Sequence, residues 1–312
     1  MPIVLIVVSA VFLILALTGG YVFLVACVRT KELPWFDREK LEKTPYGKYY
    51  DGIVYADSWL KAHTTSDVYI RSFDGLKLRA RWIPAEDPKG TVLFAHGYRS
   101  TYLVDFSMVL DLYHDAGMNI LLPDQRAHGK SDGKIITFGV KESRDMLSWL
   151  AYHNKEFGAA PVLLSGMSMG ASTMMYLADE KLPENVKGFI VDCGFTSPKE
   201  ILSCVFSSVT HLPSFLCMWS VDLCARIFGG FRLKQKDSRV TLAKNRLPII
   251  MIHGQNDTFV PCEMTKEGYA VCGGSKQILL VEGAEHGVSF VVDRERYTQL
   301  IKDFLKQYIY RE

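Results

Sequence analysis

The chain has 312 residues, 48% of them hydrophobic, which suffices for one large packed domain and argues against extended disorder. Its formal net charge is only +2 and its basic residues are dispersed, so it carries no electrostatic footprint for nucleic acid and no such partner is expected. Seven cysteines, an odd number outside CxxC or Cys/His metal spacings, read as free thiols and favour a reducing compartment.

From Pro2 to Val28 no residue is charged, and the run exceeds the roughly 20 apolar residues that cross about 30 Å of hydrocarbon. A single-pass membrane anchor over residues 1–29 is expected, with Gly19 and Gly20 tolerated because no water competes for backbone groups in lipid. Two other fates compete with a retained helix. Signal-peptide cleavage calls for a basic start and a shorter apolar stretch. Lipid modification at Cys27 is suggested by the run Leu24-Val25-Ala26-Cys27, which looks like a lipoprotein cleavage box. Arg29, Lys31, Arg38, Lys40, Lys43 and Lys48 follow the span and only the α-amino group precedes it, so the positive-inside rule puts the remainder of the chain in the cytoplasm.

Residues 30–66 are polar and aromatic and read as a connector with one helix around Ser58–His63. A folded domain over 67–312 follows, without internal repeats. Asp67–Ser72 and Leu76–Ile83 alternate apolar and polar residues around Phe73-Asp74-Gly75 and predict an antiparallel hairpin. Six near-continuous apolar runs come next: 91–95, 119–122, 161–164, 186–191, 248–252 and 277–281. Such runs are buried on both faces, as in a parallel sheet covered by helices. The helical patterns Val140–Asn154, Ser168–Ala178, Cys262–Ala270 and Arg294–Tyr308 lie between and after them. Thr196–Leu247 offers no strand. Its large apolar residues, among them Phe206, Phe215, Trp219 and Phe228, fit either extra core or a helical cap at about 197–240 over an acyl pocket.

The run 161–165 leads directly into Gly166-Met167-Ser168-Met169-Gly170 and a helical pattern, the strand–turn–helix context that a GxSxG nucleophile elbow requires. Gly166 and Gly170 remove side chains that would crowd the sharp turn. A serine hydroxyl needs a base to take its proton and a carboxylate to orient that base, in the chain order Ser, acid, His. Asp257, after the run 248–252, and His286, after the run 277–281, sit just beyond strand ends, where catalytic groups of open α/β sheets gather. His253 and His96 compete as base and suit structural hydrogen bonding better. Asp293 and Glu285 compete as acid; Asp293 directly precedes a predicted helix and suits an N-cap. The backbone N–H groups of Met169 and Tyr98 are assigned to an oxyanion hole. The loop Pro123–Gly133 contains Asp and His without a second ligand cluster and reads as polar scaffolding, so no metal is expected.

The segments FAHGYRS, PDQRAHGKSDG, GMSMG, VDCGFTSP, HGQNDTFVP and EGAEHG, spread over about Asp67–Tyr308, resemble the bacterial α/β hydrolases of the serine aminopeptidase-like group. The resemblance implies an eight-stranded, mostly parallel sheet with a helical cap after the sixth strand, and a triad of Ser168, Asp257 and His286 that needs no cofactor. It leaves esters, thioesters and peptides open as substrates. A carboxylic ester with an acyl group of short to medium length is the first expectation. A peptidase selective for free amino termini needs acidic groups near its ammonium site, and Ser203–Phe231 offers only Asp222. A membrane-tethered binding module without catalysis is the non-enzymatic alternative; a dead site has no need for a strained elbow.

Overall fold

The computed structural model describes residues 2–44 and 47–310. In chain order its longer elements begin with α1 (Pro2–Cys27), a short α2 (Arg38–Leu41) and α3 (Tyr50–Ala62), followed by β1 (Ser66–Arg71), β2 (Lys77–Ile83) and β3 (Gly90–Ala95). Two short helices, α4 (Tyr102–Asp105) and α5 (Leu110–Asp115), precede β4 (Met118–Pro123), α6 (Val140–Phe157), β5 (Val162–Met167), α7 (Met169–Met175) and β6 (Val186–Asp192). An insertion then carries α8 (Pro198–Thr210), α9 (Phe215–Cys224), a π-helical turn (Ala225–Gly229) and α10 (Ser238–Ala243). The chain ends with β7 (Ile249–Gly254), α11 (Cys262–Val271), β8 (Lys276–Val281), a short α12 (Ser289–Val292) and α13 (Arg294–Tyr308).

The strands form one eight-stranded sheet in the order β1-β2-β4-β3-β5-β6-β7-β8. β2 runs antiparallel to β1 and β4, and the remaining pairs are parallel. The hairpin predicted from alternation is present, its turn closed by Gly75 at a φ of 90°. Continuous apolar runs became central strands because each face meets a helical layer. Phe94, Ile190 and Ile252 point into one core with Ile301 and Phe304 of α13. Leu93, Val191 and Met251 point into the other with Trp149 of α6 and Met174 of α7.

Several boundaries moved. The helix expected around Ser58–His63 begins at Tyr50, and the one expected over Ser168–Ala178 is regular only from Met169 to Met175. Within 30–66, read as a connector, described residues are packed onto the sheet unit: Trp35, Leu41 and Ile53 form a small buried cluster with Val104 of α4. Their spacing carries no strong period, so only the tertiary contact reveals the packing.

The insertion is helical, as its composition predicted, but its apolar side chains have two uses. Ile201, Phe206, Met218 and Val221 pack inward on Phe138, Met169 and Phe195. Along its other side α9 lies against α1. Among the described residues α1 is the one helix long and apolar enough to cross a membrane. Its last turn is fixed to the sheet unit, since Cys27 is fully buried and the Tyr98 hydroxyl donates to the Ala26 carbonyl at 2.8 Å. All seven cysteines are unpaired.

Candidate active site

The elbow between β5 and α7 holds Ser168 at φ 55° and ψ −117°, a left-handed backbone that a non-glycine residue adopts only under constraint from its surroundings. Two contacts explain why glycines flank it. A Cβ on Gly166 would lie 2.4 Å from the Gly170 carbonyl oxygen, and a Cβ on Gly170 would lie 1.8 Å from that of Ala95. The start of α7 is therefore pressed onto β3, which leaves Ser168 at the head of a helix with its hydroxyl facing a cavity. The Ser168 N–H is held by the Asp192 carbonyl at the end of β6.

β7 and β8 deliver the other two predicted residues. The His286 Nε2 lies 2.9 Å from the Ser168 Oγ, and its Nδ1 lies 2.6 Å from the Asp257 Oδ2. With the Nδ1–H given to the carboxylate, Nε2 is free to accept the serine proton, the tautomer that general-base work requires. Asp257 Oδ1 accepts the N–H groups of Phe259 and Val260 at 2.9 and 2.8 Å, which fixes the carboxylate in its loop. Burial by itself would raise the Asp257 pKa. Hydrogen bonds from His253 and His286, the attraction of His286 and the Val260 N–H outweigh it and hold the carboxyl well below the usual carboxylate range.

The rival residues fall into the structural roles that the sequence favoured. His253 is fully buried; its Nε2 lies 2.9 Å from the Val260 carbonyl and 3.1 Å from Asp257 Oδ2, and its Nδ1 lies 2.6 Å from the Thr265 hydroxyl. It braces the acid loop. His96 accepts the Gln125 N–H at 3.0 Å and ties β3 to the loop after β4. Asp293 accepts the Arg296 N–H at 3.2 Å as the N-cap of α13. Within the loop Pro123–Gly133, Arg126 pairs with Asp145 and Asp74, and Asp124 accepts the Lys130 N–H; this is the polar scaffolding expected of it.

The two residues expected to supply oxyanion donors both adjoin Ser168. Met169 follows it at the buried start of α7, and Tyr98 lines the same cavity. A Cβ on Gly97 would lie 3.3 Å from that of Ser168, so the main chain at Gly97-Tyr98 passes directly beside the serine. On either side of Tyr98 the amides are committed: Gly97 N–H donates to Asp105 and Arg99 N–H to the His128 ring at 3.0 Å. The Tyr98 ring turns away and stacks on Phe138.

Three participants escaped the sequence reading. Tyr49, from the presumed connector, donates its hydroxyl to the His286 carbonyl at 3.1 Å and lines the cavity. Asp105 accepts from Gly97 and Ser100; burial pushes its carboxyl up against the opposing pull of those hydrogen bonds. The Cys193 Sγ lies 4.0 Å from the His286 Nε2. Cys193, Asp257 and His286 approach one another closely enough to suggest metal ligation. Burial drives the Cys193 thiol well above its ordinary value, and Asp257 and His286 are engaged with each other. No signal in sequence spacing points to any of the three, because each is brought in by tertiary contact.

The cavity at Ser168 has a volume of about 360 Å³ and is lined by residues from the N-terminal segment, the loop after β3 and the loops carrying Asp257 and His286. None of the residues that line this cavity belongs to 197–240. Ile201, Phe206, Met218 and Val221 of the insertion are buried in a cluster with Met169 of the elbow helix and Phe23 of α1.

Comparison with known proteins agrees with the architecture. A family model of the alpha/beta hydrolase fold matches residues 90–205. The Bacillus subtilis protein YqkD is 27% identical over 237 residues, covering 76% of this chain and 77% of its own. The protein bem46 of Schizosaccharomyces pombe is 22% identical over 279 residues, covering 83% and 87%. Among solved structures, the esterase Pf2001 of Pyrococcus furiosus superposes with a TM-score of 0.64 at 24% identity, over 80% of this chain and 92% of that one. An acylaminoacyl peptidase of Pyrococcus horikoshii superposes at 0.59 with 17% identity, over 83% and 44%. The sheet order, the elbow and these matches show that the chain has the alpha/beta hydrolase fold.

Proposed function

We propose that the chain is a serine hydrolase acting on carboxylic esters through an acyl-enzyme on Ser168. The observation that carries this reading is the continuous hydrogen-bond path from the Ser168 hydroxyl through both nitrogens of His286 to Asp257. In the first half-reaction His286 Nε2 takes the serine proton as Oγ attacks the carbonyl carbon. The developing oxyanion meets the N–H groups of Met169 and Tyr98. His286 then returns the proton to the departing alkoxide. In the second half-reaction His286 deprotonates a water that attacks the acyl carbon, and Ser168 regains its proton as the acid leaves. Asp257 stays ionised throughout and stabilises the imidazolium.

Size and polarity support a small acyl substrate. A volume of about 360 Å³ lies near the lower end of the range for small-molecule sites, roughly 300–1,000 Å³. Val104, Met167 and Phe259 offer apolar walls. Asp105 and Glu285 are the acidic lining groups, and among the described residues no lysine or arginine lines the cavity, which disfavours substrates with a second anionic group close to the ester. The same two acids favour one second reading, a peptidase that receives a free ammonium group beside the scissile bond. The α1 helix would hold the enzyme in a membrane as a retained single span, with the basic residues after Val28 keeping the catalytic unit in the cytoplasm.

Turnover of p-nitrophenyl esters from acetate to palmitate, beside aminoacyl p-nitroanilides, tests the reading in wild type and Ser168→Ala. The expected result is Ser168-dependent ester hydrolysis that peaks below palmitate. Ser168-dependent anilide hydrolysis without ester hydrolysis would replace the esterase by the peptidase.

A further inference from the structure

We propose that the helical hairpin α8–α9 is itself seated in the hydrocarbon of the bilayer, with the outer face of α9 against acyl chains. The inference rests on the reading of α1 as a membrane span and deepens it.

Contacts between the two helices advance in step. The Phe12 ring stacks on that of Trp219 at 4.7 Å, the Ser220 hydroxyl lies 3.2 Å from the Leu15 carbonyl, and Phe23 meets Phe228 at 6.1 Å. The helices therefore run side by side in the same direction. They are close because Gly19 has no side chain; a Cβ there would lie 1.8 Å from the Ser220 Oγ. A small residue at such a crossing is the usual means by which helices approach in lipid.

Length decides where this pair sits. A helix needs about 20 residues at about 1.5 Å each to cross about 30 Å of hydrocarbon. Counted from Ile3, the apolar layer extends to about Val22. The α9 contacts fall at Phe12, Leu15 and Gly19, inside that layer. The span has no room to slide outward, because Cys27 is buried in the sheet unit and the Arg29 guanidinium donates to the Gly129 and Ser131 carbonyls at 2.5 and 2.8 Å. Any register that lets α1 cross also immerses α9.

The chemistry of the hairpin matches that depth. Ile201–Val221 contains no Asp, Glu, Lys or Arg. Phe215, Trp219, Leu223 and Ile227, spaced by one helical turn each, are exposed on its outer face, Phe215 at 75%. The nearest charges, Asp222 and Arg226, pair with each other, and Asp222 also accepts the Leu233 N–H at 2.7 Å toward the sheet unit. At the tip the Leu212 N–H donates to the Thr210 hydroxyl, which donates to the Phe206 carbonyl. Internal partners for a turn are what a lipid environment demands. An apolar stripe continuous with a spanning helix identifies the occupant as lipid.

The test uses the full chain in vesicles of phosphatidylcholine and phosphatidylglycerol. Trp219 emission is isolated as the difference between wild type and Trp219→Phe. Phosphatidylcholine brominated on its acyl chains is expected to remove more than half of that difference, whereas aqueous iodide leaves it intact. An iodide-quenched Trp219 in chain that resists alkaline carbonate extraction would overturn the inference while leaving the span in place. Protection from both quenchers would mean that a second copy or another protein covers the face, and would also overturn it. Release of the chain by carbonate would overturn the span and the inference together.

Discussion

Replacing Asp257 by asparagine keeps the shape of the acid and changes one property, its ability to accept on every edge. In the wild type Oδ1 receives two backbone N–H groups and Oδ2 receives the His286 Nδ1–H at 2.6 Å, with the His253 Nε2 at 3.1 Å. Asparagine keeps its oxygen on the two backbone donors, so its NH₂ faces both histidines. His286 then turns its acceptor toward Nδ1 and its proton toward Nε2, where it points at Ser168 and prevents proton uptake. An orienting-acid loss of this type costs about 10⁴ in kcat, about 5.5 kcal/mol of transition-state stabilisation. The lost charge-assisted hydrogen bond removes about 1.5–3 kcal/mol of stability, less than the roughly 5–15 kcal/mol of a typical domain, so the variant stays folded. Steady-state hydrolysis of p-nitrophenyl butyrate, with thermal unfolding of the same sample, separates the two effects. A folded Asp257→Asn enzyme within tenfold of wild-type kcat would refute the reasoning, because it would mean that His286 is oriented by something else.

Gly170→Ala places a methyl group 1.8 Å from the Ala95 carbonyl, and the backbone shift that relieves it costs about 1–3 kcal/mol in thermal unfolding and misaligns Ser168. Tyr49→Phe removes the hydroxyl that holds the His286 carbonyl. The loss of about 0.5–1.5 kcal/mol predicts a decrease in kcat of about 2- to 13-fold with little change in melting temperature. For Asp74, burial raises the pKa but is outweighed by hydrogen bonds from Arg126 and Ser72 and the attraction of Arg126 and Lys141, leaving it at about 2 against an ordinary 3.8. Because the folded pKa is depressed, its contribution, about 1 kcal/mol once solvent screening of this exposed carboxylate is allowed for, is present above pH ~4 and is lost as the pH falls toward 2. Denaturant titrations should find Asp74→Asn less stable than wild type at pH 7, with the gap closing at pH 2.

The legible parts of the molecule were those governed by local rules. Leu93 and Phe94 lie in opposite cores, and that two-sided burial is what the unbroken run Thr91–Ala95 encodes. Gly166, Ser168 and Gly170 state the elbow through sterics, and Asp257 and His286 follow from the chain order around it. Tyr49 was not legible, because 237 residues separate it from the carbonyl it holds. The partner of α9 was equally hidden. α1 is apolar on every side and advertises no preferred face, and nothing in the spacing of Phe215, Trp219 and Leu223 distinguishes a lid over a pocket from a helix packed on a span. Asp105 and Cys193 reach the site by the path of the chain, which no motif encodes.

The most direct test of the central claim is reaction of the full chain with a fluorophosphonate, followed by peptide mapping, in wild type, Ser168→Ala and His286→Ala. A serine activated by the observed relay is phosphonylated at Ser168 in the wild type, unlabelled in Ser168→Ala and labelled far more slowly in His286→Ala. A folded wild-type chain that stays unmodified, or a label that maps elsewhere, would contradict the assignment of Ser168 as the nucleophile.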